Sequence, residues 1–96
     1  MIVICEDKQY TIKLLDKLLT DLWGEVKLLA PNIGDKTTEM KITRLVTLAD
    51  EAQQHYYLLS HSEKVVISSN LYYEIADRHE VDVERFTFAG ELARRS

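Results

Sequence analysis

The chain opens with four apolar residues, 2–5, which end abruptly at two acids, Glu6 and Asp7. Three of the four are β-branched, and such a run indicates a strand that is covered on both faces. From residue 8 to residue 23 the apolar spacing becomes helical, with Ile12, Leu15, Leu19 and Leu22 on one stripe. We expect Gly24 to end this helix as a left-handed cap.

Residues 25–30 (EVKLLA) predict a second strand, which Pro31 closes. A strand, a helix and a strand within about 30 residues form a βαβ unit, whose two strands run parallel. Asp35, Thr37 or Thr38 then offers a cap for a second helix.

From residue 38 the chain has two interpretations that share a helical start. A helical face is traced by Ile42, Leu45, Val46, Ala49 and Ala52. The spacing continues through Tyr56 and Leu59, so one helix could reach Ser60; alternatively, residues 56–59 form a short strand. The strand version leaves only residues 60–63 before the next strand and forces an antiparallel hairpin. We favour the long helix because its periodicity is unbroken.

Two more strands and a helix are predicted downstream. Residues 64–68 indicate a strand, and Ser69 or Asn70 can cap a helix over residues 71–79. Residues 81–88 alternate with one break at 84–85, which predicts a half-buried edge strand with a bulge. Residues 89–96 would form a polar tail or a final helical turn. The predicted fold is therefore a single α/β domain over residues 1–96, three-layered, with a mostly parallel sheet in the order βαβαβαβ.

The composition excludes several classes of function but does not identify one. The 96 residues are 46% hydrophobic, and the net charge of −4 is spread among interspersed acids and bases. This pattern lacks the basic patch that nucleic-acid binding needs, so no nucleic-acid partner is expected. No apolar stretch is long enough to span a membrane. Cys5 is the only cysteine, which excludes an internal disulfide, and burial is its expected role. From these observations we expect a soluble, cytoplasmic domain that needs no cofactor.

Glu6 and Asp7 are the candidate metal ligands. Two carboxylates at the C-terminal end of a first strand could hold Mg²⁺, which prefers oxygen ligands. Alternatively, one of the acids caps the helix and interacts with its N-terminal dipole. The strand at residues 64–68 is followed by Ser69 and Asn70, so a third carboxylate does not follow it.

Two stretches resemble parts of known families. Residues 2–7 are similar to the first strand and acidic pair of response-regulator receiver domains, and residues 65–69 to their hydroxyl-bearing strand. The phosphoacceptor aspartate would fall near Ser60 and the conserved lysine near Glu84 or Arg85, so the resemblance implies a degenerate receiver. The first strand also resembles that of Toprim domains, with Glu6 as the first acid. Ser69 and Asn70 stand where that family has two aspartates, which implies an inactive site.

The tyrosine pairs at 56–57 and 72–73 point to a protein partner. Adjacent helical residues project about 100° apart, so at most one tyrosine of each pair can lie fully in the core. We expect Tyr57 and Tyr73 at the surface, where tyrosine favours interfaces. The predicted function is a non-enzymatic regulatory or interaction module that binds a protein partner or forms a homodimer. The alternative is a small Mg²⁺-dependent enzyme or receiver-like phosphotransfer domain that uses Glu6 and Asp7.

Overall fold

The computed structural model describes residues 2–63 and 66–89. Helices dominate this part of the chain, and three short strands accompany them. In chain order the elements are β1 (Ile2–Cys5), α1 (Lys8–Leu29), a 3₁₀ turn (Ala30–Asn32), α2 (Lys36–His61), β2 (Val66–Ser68), α3 (Ser69–Arg78), a 3₁₀ turn (Val83–Arg85) and β3 (Phe86–Ala89).

The three described strands form an antiparallel sheet in the order β2-β1-β3, so the predicted three-layer, mostly parallel βαβαβαβ fold is wrong. The central strand, β1, pairs antiparallel with both neighbours, with Ile4 opposite Val66 on one side and Thr87 on the other. The cause lies in the connection between β1 and β2, which contains two antiparallel helices instead of one. Because the chain leaves along α1 and returns along α2, it re-enters the sheet at the end it left. A contact from Lys8 Nζ to the Ser62 carbonyl oxygen, 2.6 Å, joins these two points.

The first helix does not end at Gly24, and residues 25–30 are not a strand. The helix continues to Leu29, and the backbone N–H of Ala30 donates to the Val26 carbonyl oxygen. Val26 and Leu29 follow Leu22 at intervals of four and three residues, so they extend the apolar stripe that packs on α2. Packing of this stripe outweighs the cost of about 1 kcal/mol that glycine brings to a helix interior.

The prediction of one long second helix is confirmed. The helix α2 runs without interruption through residues 55–60 to His61. Asp35 is its N-cap residue, and the Thr38 hydroxyl donates to the Asp35 carboxylate at 3.1 Å. At 1.5 Å per residue the 26 residues span about 39 Å, which exceeds the usual diameter of a small domain.

The later elements differ from the prediction mainly at their boundaries. Ser68, one residue earlier than expected, caps α3, since its Oγ accepts from the Leu71 N–H at 3.3 Å. The predicted edge strand lies at the sheet edge but begins at Phe86, because residues 83–85 form a 3₁₀ turn. The start of the predicted strand, residues 64–65, and the predicted tail, residues 90–96, lie outside the described residues.

One apolar core joins all six main elements. Val3, Cys5, Ile67 and Phe86 project from the sheet towards the helices, whereas Ile2 on the alternate face is 51% exposed. The helices contribute Leu15, Leu18, Leu59, Leu71 and Ile75, all at most 1% exposed. No helix in the described ranges combines the length and the apolar character needed to cross a bilayer.

Candidate functional site

The α1–α2 hairpin extends past α3, and two adjoining hollows open where the three helices meet. The first has a volume of about 450 Å³ and the second about 480 Å³. They share Arg44, Leu48 and Glu74, so they form one continuous surface, which we call the three-helix groove. Its first hollow is also lined by Glu25, Leu28, Leu29, Lys41, Leu45 and Arg78, and its second by Thr47, Glu51, Asn70, Tyr73 and Asp77.

The first hollow is lined by four leucines of α1 and α2, three of them at its base and one at its rim. Leu29, Leu45 and Leu48 are partly buried, but Leu28 is 78% exposed. Leu28 lies off the core stripe of α1, three residues after Glu25 and on the side that faces α3. Because α3 is only ten residues long, its last residue, Arg78, contacts Glu25 and the helix ends before it covers Leu28.

A salt-bridge network closes one wall of the first hollow. The Arg78 guanidinium donates to both Glu25 carboxylate oxygens at 3.0 Å and through Nε to Glu74, also at 3.0 Å. Hydrogen bonding to Glu25 raises the pKa of Arg78 further, so the guanidinium stays charged. Two carboxylates and one guanidinium are mutually satisfied here, and the network fixes α3 against α1.

Charge is distributed unevenly along the groove. Lys41 and Arg44 project from α2 beside the first hollow, and within residues 2–63 and 66–89 neither makes an ion pair. The second hollow carries Glu51 and Asp77 beside Tyr73. Asp77 is exposed and likewise makes no ion pair in the described ranges. Because Arg78 is paired with Glu25 and Glu74, Lys41 leaves the first hollow with an excess of positive charge. Glu51 and Asp77 leave the second hollow with an excess of negative charge, and Arg44 and Leu48 lie where the two hollows meet.

The two predicted interaction tyrosines lie on different surfaces. Tyr73 is 45% exposed and lines the second hollow, whereas its neighbour Tyr72 is 6% exposed and packs edge-on against Phe86 at 5.2 Å. Tyr57 is 60% exposed on the outward side of α2, where its ring stacks on His61 at 4.4 Å. Each pair thus has one tyrosine at the surface, as expected, but only Tyr73 belongs to the groove.

Glu6 and Asp7 lie at the end of β1, where both carboxylates are occupied by contacts within the fold. Asp7 is the N-cap residue of α1: its Oδ1 accepts from the Tyr10 N–H at 3.1 Å. Its other oxygen accepts from Arg85, and Glu6 accepts from the Thr87 hydroxyl at 2.6 Å. In the part of the chain described, no three His, Cys, Asp or Glu residues cluster in a way that could hold a metal ion.

Arg85 is the cationic partner of Asp7, one of the two acids at this strand end. Its guanidinium lies over the Tyr10 ring at 4.9 Å and pairs with both Asp7 and Asp82. These hydrogen bonds raise the pKa of Arg85, so it remains a cation. The Tyr10 hydroxyl in turn accepts from the Asp82 N–H at 3.0 Å. The contacts fasten the segment before β3 to the start of α1.

Cys5 and His79 both contribute to the packing of the fold. Cys5 is 4% exposed, and burial raises the pKa of its thiol, although a hydrogen bond with Thr11 opposes the shift. His79 contacts Asp21 at 2.7 Å and links the end of α3 to α1.

Sequence reasoning missed the groove because residues 25–30 were assigned to a strand. A signal was present: once the helical stripe of Leu22 is continued to Val26 and Leu29, Leu28 is an apolar residue left outside it. Comparison of the chain with protein-family models, with curated proteins and with solved structures finds no match.

Proposed function

We propose that this chain is a non-enzymatic protein-interaction module that docks another polypeptide, a partner protein or a second copy, onto the three-helix groove. The observation that carries the proposal is Leu28, a leucine that is 78% exposed at the rim of a leucine-lined hollow. An isolated exposed leucine is ordinary, but an apolar patch rimmed by polar residues marks interaction surfaces.

The composition of the groove supports the same function. Tyrosine and arginine are enriched in interfaces and among the residues that contribute most to binding, and the groove contains Tyr73 and Arg44. The Arg78 network holds α3 and α1 in place, so the surface is preorganised and loses little entropy on binding. We place this function in the cytoplasm, where a single unpaired thiol such as Cys5 suits the reducing environment.

The test combines capture with mapping on the intact chain. Proteins captured from a lysate of the source cell by wild type are compared with those captured by Leu28→Ser and Tyr73→Ala. Hydrogen exchange of the free and bound chain then locates the contact. We expect both variants to lose the bound polypeptide, and binding to protect residues 25–29, 41–48 and 70–78 from exchange.

Two matched variants serve as controls. Met40→Ser removes a side chain that is 66% exposed on α2 but lies outside the groove, and Tyr57→Ala removes the other exposed tyrosine. Both should bind as wild type does. If Tyr57→Ala abolishes binding while Leu28→Ser does not, the interaction surface is the outward side of α2, and the groove is the wrong assignment.

A further inference from the structure

The groove is self-complementary in charge, and we infer that its occupant is a second copy of this chain, related to the first by a two-fold axis. This inference rests on the proposed function and names its partner. It starts from four residues that follow one another on a single side of α2. In order they are Lys41, Arg44, Leu48 and Glu51, at intervals of three, four and three residues.

That order places two cations at one end of the stripe and an anion at the other. Lys41 and Glu51 are ten residues apart, which is about 15 Å along a helix. Leu48 lies between the charged ends, and Tyr73 and Asp77 of α3 flank the acidic end. The groove is therefore a dipolar strip with an apolar middle.

A two-fold axis through the middle of such a strip brings unlike ends together in both halves of the interface. Two-fold interfaces are isologous: a residue that contacts a second residue across the axis is matched by the reverse contact. With the axis near Leu48, Lys41 and Arg44 of each copy approach Glu51 and Asp77 of the other. Leu28, Leu48 and Tyr73 are buried between the copies. A single external partner would need to carry this same charge pattern itself, whereas the chain already provides it.

The expected affinity is modest. The two hollows together offer fewer residues than the 20–30 that each side of a standard interface contributes, so the dimer should be weak, with a dissociation constant on the order of 10 µM. Charge pairs at its edge make the association sensitive to salt. Raising NaCl from 50 to 500 mM should weaken the dimer several-fold.

The experiment is a charge swap measured by sedimentation velocity on the full chain from 1 to 500 µM. Lys41→Glu with Arg44→Glu makes both ends of the groove acidic, and Asp77→Lys makes the acidic end more basic. All three residues are exposed, so folding should persist, which circular dichroism checks. Each variant alone should dimerise at least ten-fold more weakly than wild type. An equimolar mixture of the two should associate at least several-fold more tightly than either variant alone. At one end of the mixed dimer the native pairs are kept, and at the other the lysine introduced at position 77 faces the glutamates at positions 41 and 44, with only Glu51 left opposite like charges.

Controls apply the same charge changes elsewhere. Lys13→Glu with Lys17→Glu alters exposed positions of α1, and Asp50→Lys alters an exposed position of α2; none of these residues lines the groove. These variants should dimerise within two-fold of wild type. A wild-type chain that is monomeric at 500 µM, or a mixture that stays monomeric, overturns the inference. If the chain is monomeric yet Leu28→Ser still loses a different captured polypeptide, the self-association is wrong and the proposed interaction function stands.

Discussion

Substitutions at Asp7 test what the acids after β1 do. The carboxylate has two roles in the structure: it caps α1 by accepting from the Tyr10 N–H, and it pairs with Arg85. Asp7→Ala removes both contacts. Asp7→Asn keeps a side-chain oxygen for the cap, since asparagine and aspartate are equally good N-cap residues, and loses only the charge.

The expected magnitudes separate these roles. Replacing an aspartate N-cap by alanine costs about 1 kcal/mol of folding free energy. For a chain of this length a loss of that size lowers the midpoint of thermal unfolding by roughly 4–8 °C. The Asp7 and Arg85 side chains are 38% and 45% exposed, so their ion pair is screened by solvent and contributes little. We therefore expect Asp7→Asn to lose less than half of what Asp7→Ala loses.

The assay is urea and thermal unfolding followed by circular dichroism at 222 nm, in 50 mM and in 1 M NaCl. High salt should remove the difference between wild type and Asp7→Asn, because the Debye length falls to about 3 Å. It should leave the difference between Asp7→Asn and Asp7→Ala, because the capping hydrogen bond does not depend on a net charge. Glu6→Gln, which keeps an acceptor for Thr87, serves as the companion variant.

Two results would refute this assignment. If Asp7→Asn is as unstable as Asp7→Ala, capping is not the role of the side chain. If millimolar MgCl₂ raises the unfolding midpoint of wild type but not that of Asp7→Asn, the carboxylate binds metal, since a ligand of the native state stabilises it by mass action. That second result would restore the Mg²⁺-dependent alternative.

Three further predictions test the fold. Gly24→Ala should raise the free energy of unfolding in urea by about 0.5–1 kcal/mol. Gly24 lies inside α1, and an added Cβ would meet nothing within 4 Å. A loss of stability would mean that the helix ends at Gly24. Tyr72→Ala should lower the free energy of unfolding by about 3–5 kcal/mol, because its ring is buried, and Tyr73→Ala by under about 0.5 kcal/mol, because its ring is exposed. Equal losses would contradict the assignment of Tyr73 to the surface. Burial raises the pKa of Cys5, so its contribution to stability is complete below the ordinary thiol value of 9.0 and is lost as pH rises through the higher folded-state value. Wild type should therefore lose stability relative to Cys5→Ala above about pH 9, and a constant difference between them would show that the thiol is not buried.

The sequence predicted correctly those helices and strands for which the apolar spacing and the residues at the element's ends indicate the same structure. The long helix α2 could be predicted because its apolar stripe runs unbroken through Leu59, and the first strand because its β-branched run ends at a capping acid. The capping alternative for Asp7 also followed from the sequence, since an acid directly before a helical stripe satisfies free N–H groups.

The strand order and strand directions of the sheet could not be predicted, because both depend on where α1 ends. Ending α1 at Gly24 turned the last five residues of α1 into a strand and made the next connection a βαβ crossover. One helix between two strands yields a parallel pair, whereas two helices yield an antiparallel pair. An error at Gly24 therefore changed the strand order, the strand directions and the groove together. The groove itself depends on how far α3 extends over α1, which no spacing within either helix encodes.

The position of β1 at the centre of the sheet has a consequence for how the chain is synthesised. Its partners are residues 66–68 and 86–89, so the first of the described strands to be synthesised pairs with the last of them. At 5–20 residues per second, about 80 residues of synthesis leave β1 without its second neighbour for roughly 4–16 s. The α1–α2 hairpin is complete at His61, so both of its helices are synthesised before β3 and can pack together during that interval. A nascent chain should therefore carry a folded hairpin and an unpaired apolar strand at once, and chaperones that recognise such strands would meet this protein before its sheet exists.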